Sequence, residues 1–242
     1  LYLNMVLYKI LEIIHIGMGI KMAHRAFGKH ATEALRAVEH EAHRLECLLS
    51  RFLPGSDISR VNLNSGKRNE TVSNETFEIL SFALKLSTIS KGLFDITVGP
   101  LVDLWDYKHS IDPPSGNDLK RILPFVNYKD LILDSIQKTA GLKKPGQSVD
   151  LGGIGKGFAS DCLIEMLQEY DVKSAFSNIG GNVSTLGNKP DDSPWWVGIR
   201  HPRQNGLLGA VAVNGKAVVT SGDYERYFIG KDGKRYHHIL NP

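Results

Sequence analysis

The sequence predicts an α+β fold, a mixed and largely antiparallel sheet with packed helices. Two observations carry this reading. Three helix-like apolar stripes fall before about residue 170 of the 242, and the remainder is a series of short apolar runs parted by turn signals. No regular alternation of strand and helix is visible. The composition is that of a globular chain: 42% hydrophobic, 23% charged, with 24 Gly and 10 Pro, which excludes collagen-like, fibrous and disordered classes. A single domain is expected over residues 1–242.

Residues 1–17, LYLNMVLYKILEIIHIG, are interrupted by Lys9, Glu12 and His15. They are too broken for a signal-peptide core and too short to span a bilayer, so they read as a strand or short helix of the fold. From Phe27 to Ser50 the residues Ala31, Ala34, Leu35, Val38, Ala42, Leu45, Leu48 and Leu49 recur at helical spacing, with Glu, Arg and His between them. His40 and His43 lie on the polar side of that helix. A turn-rich stretch from Asn62 to Asn74 precedes a second helix, about Glu75 to Lys91, stopped by Gly92.

Two prolines and a glycine make Lys108 to Asp118 a loop, or a boundary between lobes, ahead of a short helix at Leu119 to Leu123. Leu131–Leu133 and Ala140–Leu142 predict a hairpin, followed by a glycine-rich bend at Val149–Gly157 and a third helix at about Phe158 to Tyr170. Strands are expected at Ala175–Ile179, Trp195–Arg200, Leu208–Val213 and Ala217–Thr220. Asn214-Gly215 is a hairpin signal between the last two, and Lys231–Lys234 is another turn.

The net charge of +3 is spread without a basic run, so it excludes a nucleic-acid surface of the usual kind. Cys47 and Cys162 have no second thiol or histidine at ligand spacing, which excludes a disulfide scaffold and a CxxC site and assigns both to core packing. The chain begins at Leu1 and stops at Pro242 directly after an apolar run, so it reads as a fragment of a longer reading frame.

Four glycine-containing polar clusters hold the candidate chemistry. The first, DLGGIGKGF at Asp150–Phe158, precedes a helix, where backbone N–H groups and the helix dipole hold anions. It is not a P-loop, because Asp150 and Gly157 stand where that motif needs Gly and Ser or Thr. Nor is it a dinucleotide fingerprint, because Phe158 replaces the third glycine. It reads either as an anion and metal site using Lys156 and Asp150, or as a tight turn whose glycines supply left-handed geometry.

The other clusters are GLFDITVGPL at Gly92–Leu101, NIGGN at Asn178–Asn182 and TSGDYER at Thr220–Arg226. Each alone reads as a turn, with Asp95 and Thr97 pinning one and Gly180-Gly181 bending another. Four together point to a shared cleft. His237 and His238 lack the spacing of a zinc helix and read as packed residues or as a catalytic base. Trp105, Tyr107, Trp195 and Trp196 read as core or as stacking partners for a ring.

Taken in order, these clusters resemble one family, the flavin transferases of the ApbE type, which act as FAD:protein FMN transferases. The resemblance runs from about Met18 to Pro242. It rests on Met18-Gly19, LSRFLPGSDISRVN (Leu49–Asn62), GLFDITVGPLVDLW (Gly92–Trp105), VDLGGIGKGFASD (Val149–Asp161), NIGGN, PWWVGIRHP, TSGDYERYF and HHILNP. It implies an ApbE-like α+β domain and a Mg²⁺-dependent enzyme that binds FAD, releases AMP and leaves FMN on a Ser or Thr of an acceptor redox protein. By that resemblance Met18, Phe52, Leu93, Phe94, Asp95, Asp150, Lys156 and Leu240 contact FAD, with Lys156 on the pyrophosphate. The Gly153 carbonyl is a metal ligand, and His238 activates the acceptor hydroxyl.

In the family an Asp and a Thr of an AD-x-x-ST-like segment complete the metal site. The sequence stops at Pro242 before any such segment, which implies weak Mg²⁺ binding and low activity for these residues alone. Asn241 stands in place of the more usual Asp and Gly155 in place of the more usual Ala. The resemblance implies no nucleic-acid partner, and it leaves the acceptor and the oligomeric state unspecified. Family members are commonly exported or lipid-anchored, while residues 1–17 carry no such signal. Two other readings suit the same residues: an FAD-binding or delivery protein without transfer, and an FAD pyrophosphatase giving FMN and AMP.

Overall fold

The computed structural model describes residues 11–242. The first ten residues of the amino-terminal segment, expected as strand or helix, lie outside the described residues. In chain order the elements begin with β1 (Leu11–Gly17), β2 (Ile20–Phe27), α1 (Ala31–Leu49), α2 (Asp57–Leu63), β3 (Glu70–Thr71) and α3 (Asn74–Ile89). They continue with α4 (Gly99–Trp105), α5 (Gly116–Ile122), β4 (Leu131–Asp134), β5 (Thr139–Leu142) and α6 (Gly155–Glu169). The last are β6 (Ser174–Ile179), β7 (Asn182–Leu186), β8 (Trp195–Arg200), β9 (Leu207–Val213), β10 (Ala217–Val218), β11 (Tyr227–Ile229) and β12 (Arg235–His237). The α+β class with largely antiparallel sheets is as the sequence predicts, although five strands, β1 to β5, already lie before the last helix.

Contacts divide the chain into two compact units, one made of Lys156–Thr220 with the described part of Leu1–Glu46, the other of Cys47–Gly155 with Ser221–Pro242. The loop from Lys108 to Asp118 lies wholly inside the second unit and separates no lobes.

The first unit is built on a five-stranded antiparallel sheet ordered β1-β2-β6-β7-β10. Period-two alternation puts Met22, His24 and Ala26 of β2 and Ala175, Ser177 and Ile179 of β6 on one buried face. The apolar stripe of α1 (Ala31, Ala34, Leu35, Val38, Ala42, Leu45) and that of α6 (Ala159, Leu163, Leu167) supply the rest of this core. Cys47 departs from expectation: it is exposed, because the α1 stripe passes through Leu45 and Leu49 and leaves it on the flank.

A second correction concerns Asn214-Gly215. The turn exists, with Gly215 at φ 56°, but it closes no hairpin. β9 pairs with β8, whereas β10 pairs with β7, where Thr185 N donates to Lys216 O at 3.0 Å. The chain changes partner at the turn, so local turn chemistry was outweighed by a pairing 31 residues away in sequence.

The second unit holds α2 to α5, the antiparallel sheet β3-β5-β4 and the hairpin β11-β12. Three of its helices, α2, α3 and α5, start at serine caps, whereas α4 follows Val98 with no side-chain cap. Ser56 accepts from Ser59 N, Ser73 from Thr76 N and Ser115 from Asp118 N. α3 therefore begins one residue earlier than the sequence suggests and ends at Ile89; beyond it Lys91 (φ 55°) and Gly92 (φ 87°) turn the chain, and Gly92 N donates to Ser87 O at 2.8 Å. Buried Asp57 ties α2 to α3 by accepting from Ser73 N (2.8 Å), Thr76 Oγ1 (2.7 Å) and Arg60 (2.6 Å). Burial pushes its pKa up, but these hydrogen bonds outweigh burial and hold it below the ordinary value.

Candidate functional site

Two of the glycine clusters run side by side in the second unit. Asp150 N donates to Ile96 O (2.8 Å), Gly99 N donates to Ser148 O (3.2 Å), and Val98 and Ser148 form a parallel bridge. A Cβ at Gly99 would collide with Ser148, so a glycine is required for this approach. Asn62 clamps the same strand from α2 in both directions: its Oδ1 accepts from Val149 N (2.7 Å) and its Nδ2 donates to Val149 O (3.0 Å).

The bend that follows is held by its own first residue. Asp150 Oδ1 accepts from Gly152 N (2.7 Å), and Asp150 Oδ2 accepts from Arg51 Nη1 (2.9 Å). None of Gly152, Gly153, Gly155 and Gly157 has a positive φ, so left-handed geometry is not what the glycines serve. Close approach accounts for two of them: a Cβ on Gly152 would stand 2.8 Å from Asp150 Oδ1, and one on Gly153 would stand 3.1 Å from the Phe94 ring, whereas one on Gly157 would meet open space.

These contacts string together four of the residues named by resemblance, Phe52, Phe94, Asp150 and Gly153. Phe94 covers Gly153, Arg51 holds Asp150, and the Arg51 guanidinium lies 5.3 Å from the centroid of the Phe52 ring. Phe52 is 79% exposed and Leu93 72%, an apolar display beside a bend rich in accessible main chain. Asp95 is different. Its carboxylate is buried and accepts from Thr97 N (2.7 Å), Thr97 Oγ1 (2.7 Å) and Tyr128 N (2.8 Å), so its side chain pins the turn that presents Leu93 and Phe94.

Leu240 lines a cleft of about 310 Å³ with Leu101, Trp105, Tyr236 and His237. Trp105 Nε1 donates to His237 O (3.0 Å) and its ring packs against Phe228 and Tyr236, which fixes the chain entering His238. His238 N and Nδ1 both face Arg226 O, at 3.0 and 3.2 Å. A carbonyl only accepts, so Nδ1 carries the proton and, in the neutral ring, Nε2 carries the lone pair. The TSGDYER cluster thus reaches the site through its last main-chain carbonyl, and Tyr107 packs on the His238 ring at 6.0 Å.

Met18 and Lys156 belong to the first unit. Met18 (φ 52°) and Gly19 (φ 70°) form the two-residue turn between β1 and β2, so Met18 sits at a hairpin tip in a conformation that non-glycine residues seldom adopt. Lys156 is half-buried in the first turn of α6, a 15-residue helix whose leading N–H groups and dipole favour an anion. NIGGN forms the β6–β7 turn, with Gly180 and Gly181 both at positive φ and Asn178 Oδ1 accepting from Gly181 N (2.9 Å).

Comparison with known proteins decides the family. A model of the ApbE family matches residues 16–242. The chain belongs to the ApbE family. It is 37% identical over 204 residues to the FAD:protein FMN transferase of Klebsiella pneumoniae (strain 342), covering 82% of this chain and 62% of that protein. It is 30% identical over 199 residues to the one from Vibrio cholerae, covering 80% and 59%. The chain therefore spans about three-fifths of the length of these relatives. Among solved structures it is similar to an ApbE protein from Thermotoga maritima (TM-score 0.88, 29% identity, 97% of this chain and 77% of that one). It is also similar to the apo flavinyl transferase ApbE of Pseudomonas stutzeri (TM-score 0.84, 28% identity, 97% and 75%).

The donor set does not make up a magnesium site by itself. Among the described residues no group of three His, Cys, Asp or Glu side chains converges to hold a metal. Both oxygens of Asp150 are already engaged, and a single carbonyl such as that of Gly153 falls far short of the roughly six oxygens Mg²⁺ prefers.

Arg51 and Asn62 are site residues that the local sequence pattern did not single out, although both lie within the LSRFLPGSDISRVN motif. Burial alone would lower the Arg51 pKa, but its bonds to Asp150 and Asp103 outweigh this and hold the guanidinium above its ordinary value. No spacing rule could find either residue, because their partners lie 99 and 87 positions away.

Proposed function

We propose that this protein is an FAD:protein FMN transferase, moving FMN from FAD to a Ser or Thr hydroxyl of an acceptor redox protein and releasing AMP. The supporting observation is the glycine bend at Asp150–Gly153, with exposed Phe52 and Leu93 in the same unit, Phe94 over Gly153 and a tautomer-defined His238. The apolar side chains suit a flavin ring, and the accessible main chain of the bend suits a pyrophosphate. Met18 and the main chain of Leu240 are the further FAD contacts, and Leu93, Phe94 and Asp95 act as one presented turn.

In the reaction the acceptor oxygen attacks the phosphorus on the FMN side of the pyrophosphate as the bond to the AMP oxygen breaks. His238 Nε2 takes the hydroxyl proton, and Lys156 offsets the charge on the phosphates. Magnesium dependence is part of the proposal, with the Gly153 carbonyl as one ligand. Since one carbonyl does not form a site, no step is assigned to the ion. Replacing His238 by Ala tests the reading: FAD binding should persist while acceptor labelling drops by about 100-fold or more. Undiminished labelling would overturn the role of His238.

A further inference from the structure

The side chain of Arg51 is only 12% exposed, yet none of the proposed chemistry uses it. It follows α1 by two residues and makes three contacts at once. Nη1 donates to Asp150 Oδ2 at 2.9 Å, Nη2 donates to Asp103 Oδ2 on α4 at 2.6 Å, and the guanidinium carbon sits over the Phe52 ring, 5.3 Å from its centroid. Asp150 in turn holds the glycine bend through Gly152 N.

We propose that Arg51 is the positioning residue of the FAD site, setting the Phe52 ring and the Asp150-pinned bend in one fixed relation. This rests on the reading of the site as an FAD site. A planar fork with five fixed donors is the one side chain that can bridge two carboxylates from different elements and still present a face to an aromatic ring. A lysine supplies the charge without the fork. Phe52, mostly exposed, has little packing of its own to hold a single orientation, so the guanidinium supplies it.

The roles of the two carboxylates differ. Asp103 is 59% exposed, and its bond to Arg51 is the outer, solvent-screened one. Asp150 is 16% exposed and is the one joined to the bend. Loss of Arg51 therefore leaves the Asp150 carboxylate half-buried without its counter-charge, and the bend loses its outer restraint. Loss of Asp103 leaves the link between Arg51 and Asp150 intact.

The test measures FAD binding by the 242-residue protein and needs no turnover. FAD is titrated into wild type, Arg51→Met, Arg51→Lys and Asp103→Asn, with flavin fluorescence and the visible spectrum followed to saturation and a melting curve recorded for each. Arg51→Met should weaken FAD by about 10- to 100-fold, Arg51→Lys should recover only part of that loss, and Asp103→Asn should change affinity less than about threefold. At saturation the Arg51→Met complex should show a less quenched flavin than wild type, a signature that loss of stability alone would not produce. Wild-type affinity and an unchanged saturated spectrum in a folded Arg51→Met protein would overturn the positioning role. If that variant does not fold, Arg51→Lys carries the test, and wild-type affinity and spectrum there would overturn the need for the fork. Failure of wild type to bind FAD would instead overturn the site reading itself, and this proposal with it.

Discussion

Acid should weaken the first unit through one histidine. His24 is 0% exposed, its Nδ1 lies 2.9 Å from Ser177 Oγ, and its Nε2 lies 3.1 Å from His15 Nε2. Burial first, and the neighbouring His15 second, lower its pKa from 6.5 to about 4. Below 6.5 the unfolded chain takes up a proton at this site that the folded chain refuses. The stabilisation is complete above 6.5 and is lost as the pH falls towards about 4. At about 1.4 kcal/mol for each pH unit, that window is worth about 3 kcal/mol, a large part of the roughly 5–15 kcal/mol that holds a typical domain together.

Urea unfolding followed by tryptophan fluorescence at pH 7, 6, 5 and 4.5 measures the loss. A His24→Gln variant shows which part belongs to this ring, since the carboxylates titrate in both proteins. Wild type should lose about 2–3 kcal/mol more than the variant across the window. Equal slopes in the two proteins would refute the assignment of the loss to His24.

Other consequences follow from the same contacts. Asp95→Ala removes three hydrogen bonds from a buried carboxylate and should destabilise the protein by about 3 kcal/mol in thermal melts. Asp57→Asn should cost stability at pH 7, and that deficit should close as the pH falls below 3.8, because the wild-type carboxylate, depressed by its hydrogen bonds, gives up its advantage there. Gly153→Val pushes a branched side chain into the Phe94 ring and should raise the FAD Kd by about tenfold or more in a fluorescence titration.

What was legible in the sequence was what depends on neighbours in the chain. The stripes of α1, α3 and α6 emerged within a few residues of their true ends because a period of 3.6 is a local signal. β7 escaped notice, since Asn182–Leu186 (NVSTL) breaks the period-two alternation at Ser184-Thr185, carries only two apolar residues, and gains its place by pairing with β6. Asn214-Gly215 misled for the converse reason: a favourable turn does not decide which strands pair. Candidate site residues were nameable by resemblance, but their arrangement was not. That Asp95 spends its carboxylate on a turn, and that Arg51 braces Asp150 and Phe52, are properties of long-range contacts.

The most direct test of the central claim is a transfer assay with FAD, Mg²⁺ and an acceptor carrying a Ser/Thr flavinylation motif. It would compare residues 1–242 with the same chain joined to the family's AD-x-x-ST-like segment, reading flavin fluorescence on denaturing gels together with AMP. The proposal predicts labelled acceptor and AMP in matching amounts, formed faster by the longer protein. AMP without labelled acceptor would contradict it in favour of FAD hydrolysis, and bound FAD with neither product from either protein would leave a flavin-binding protein.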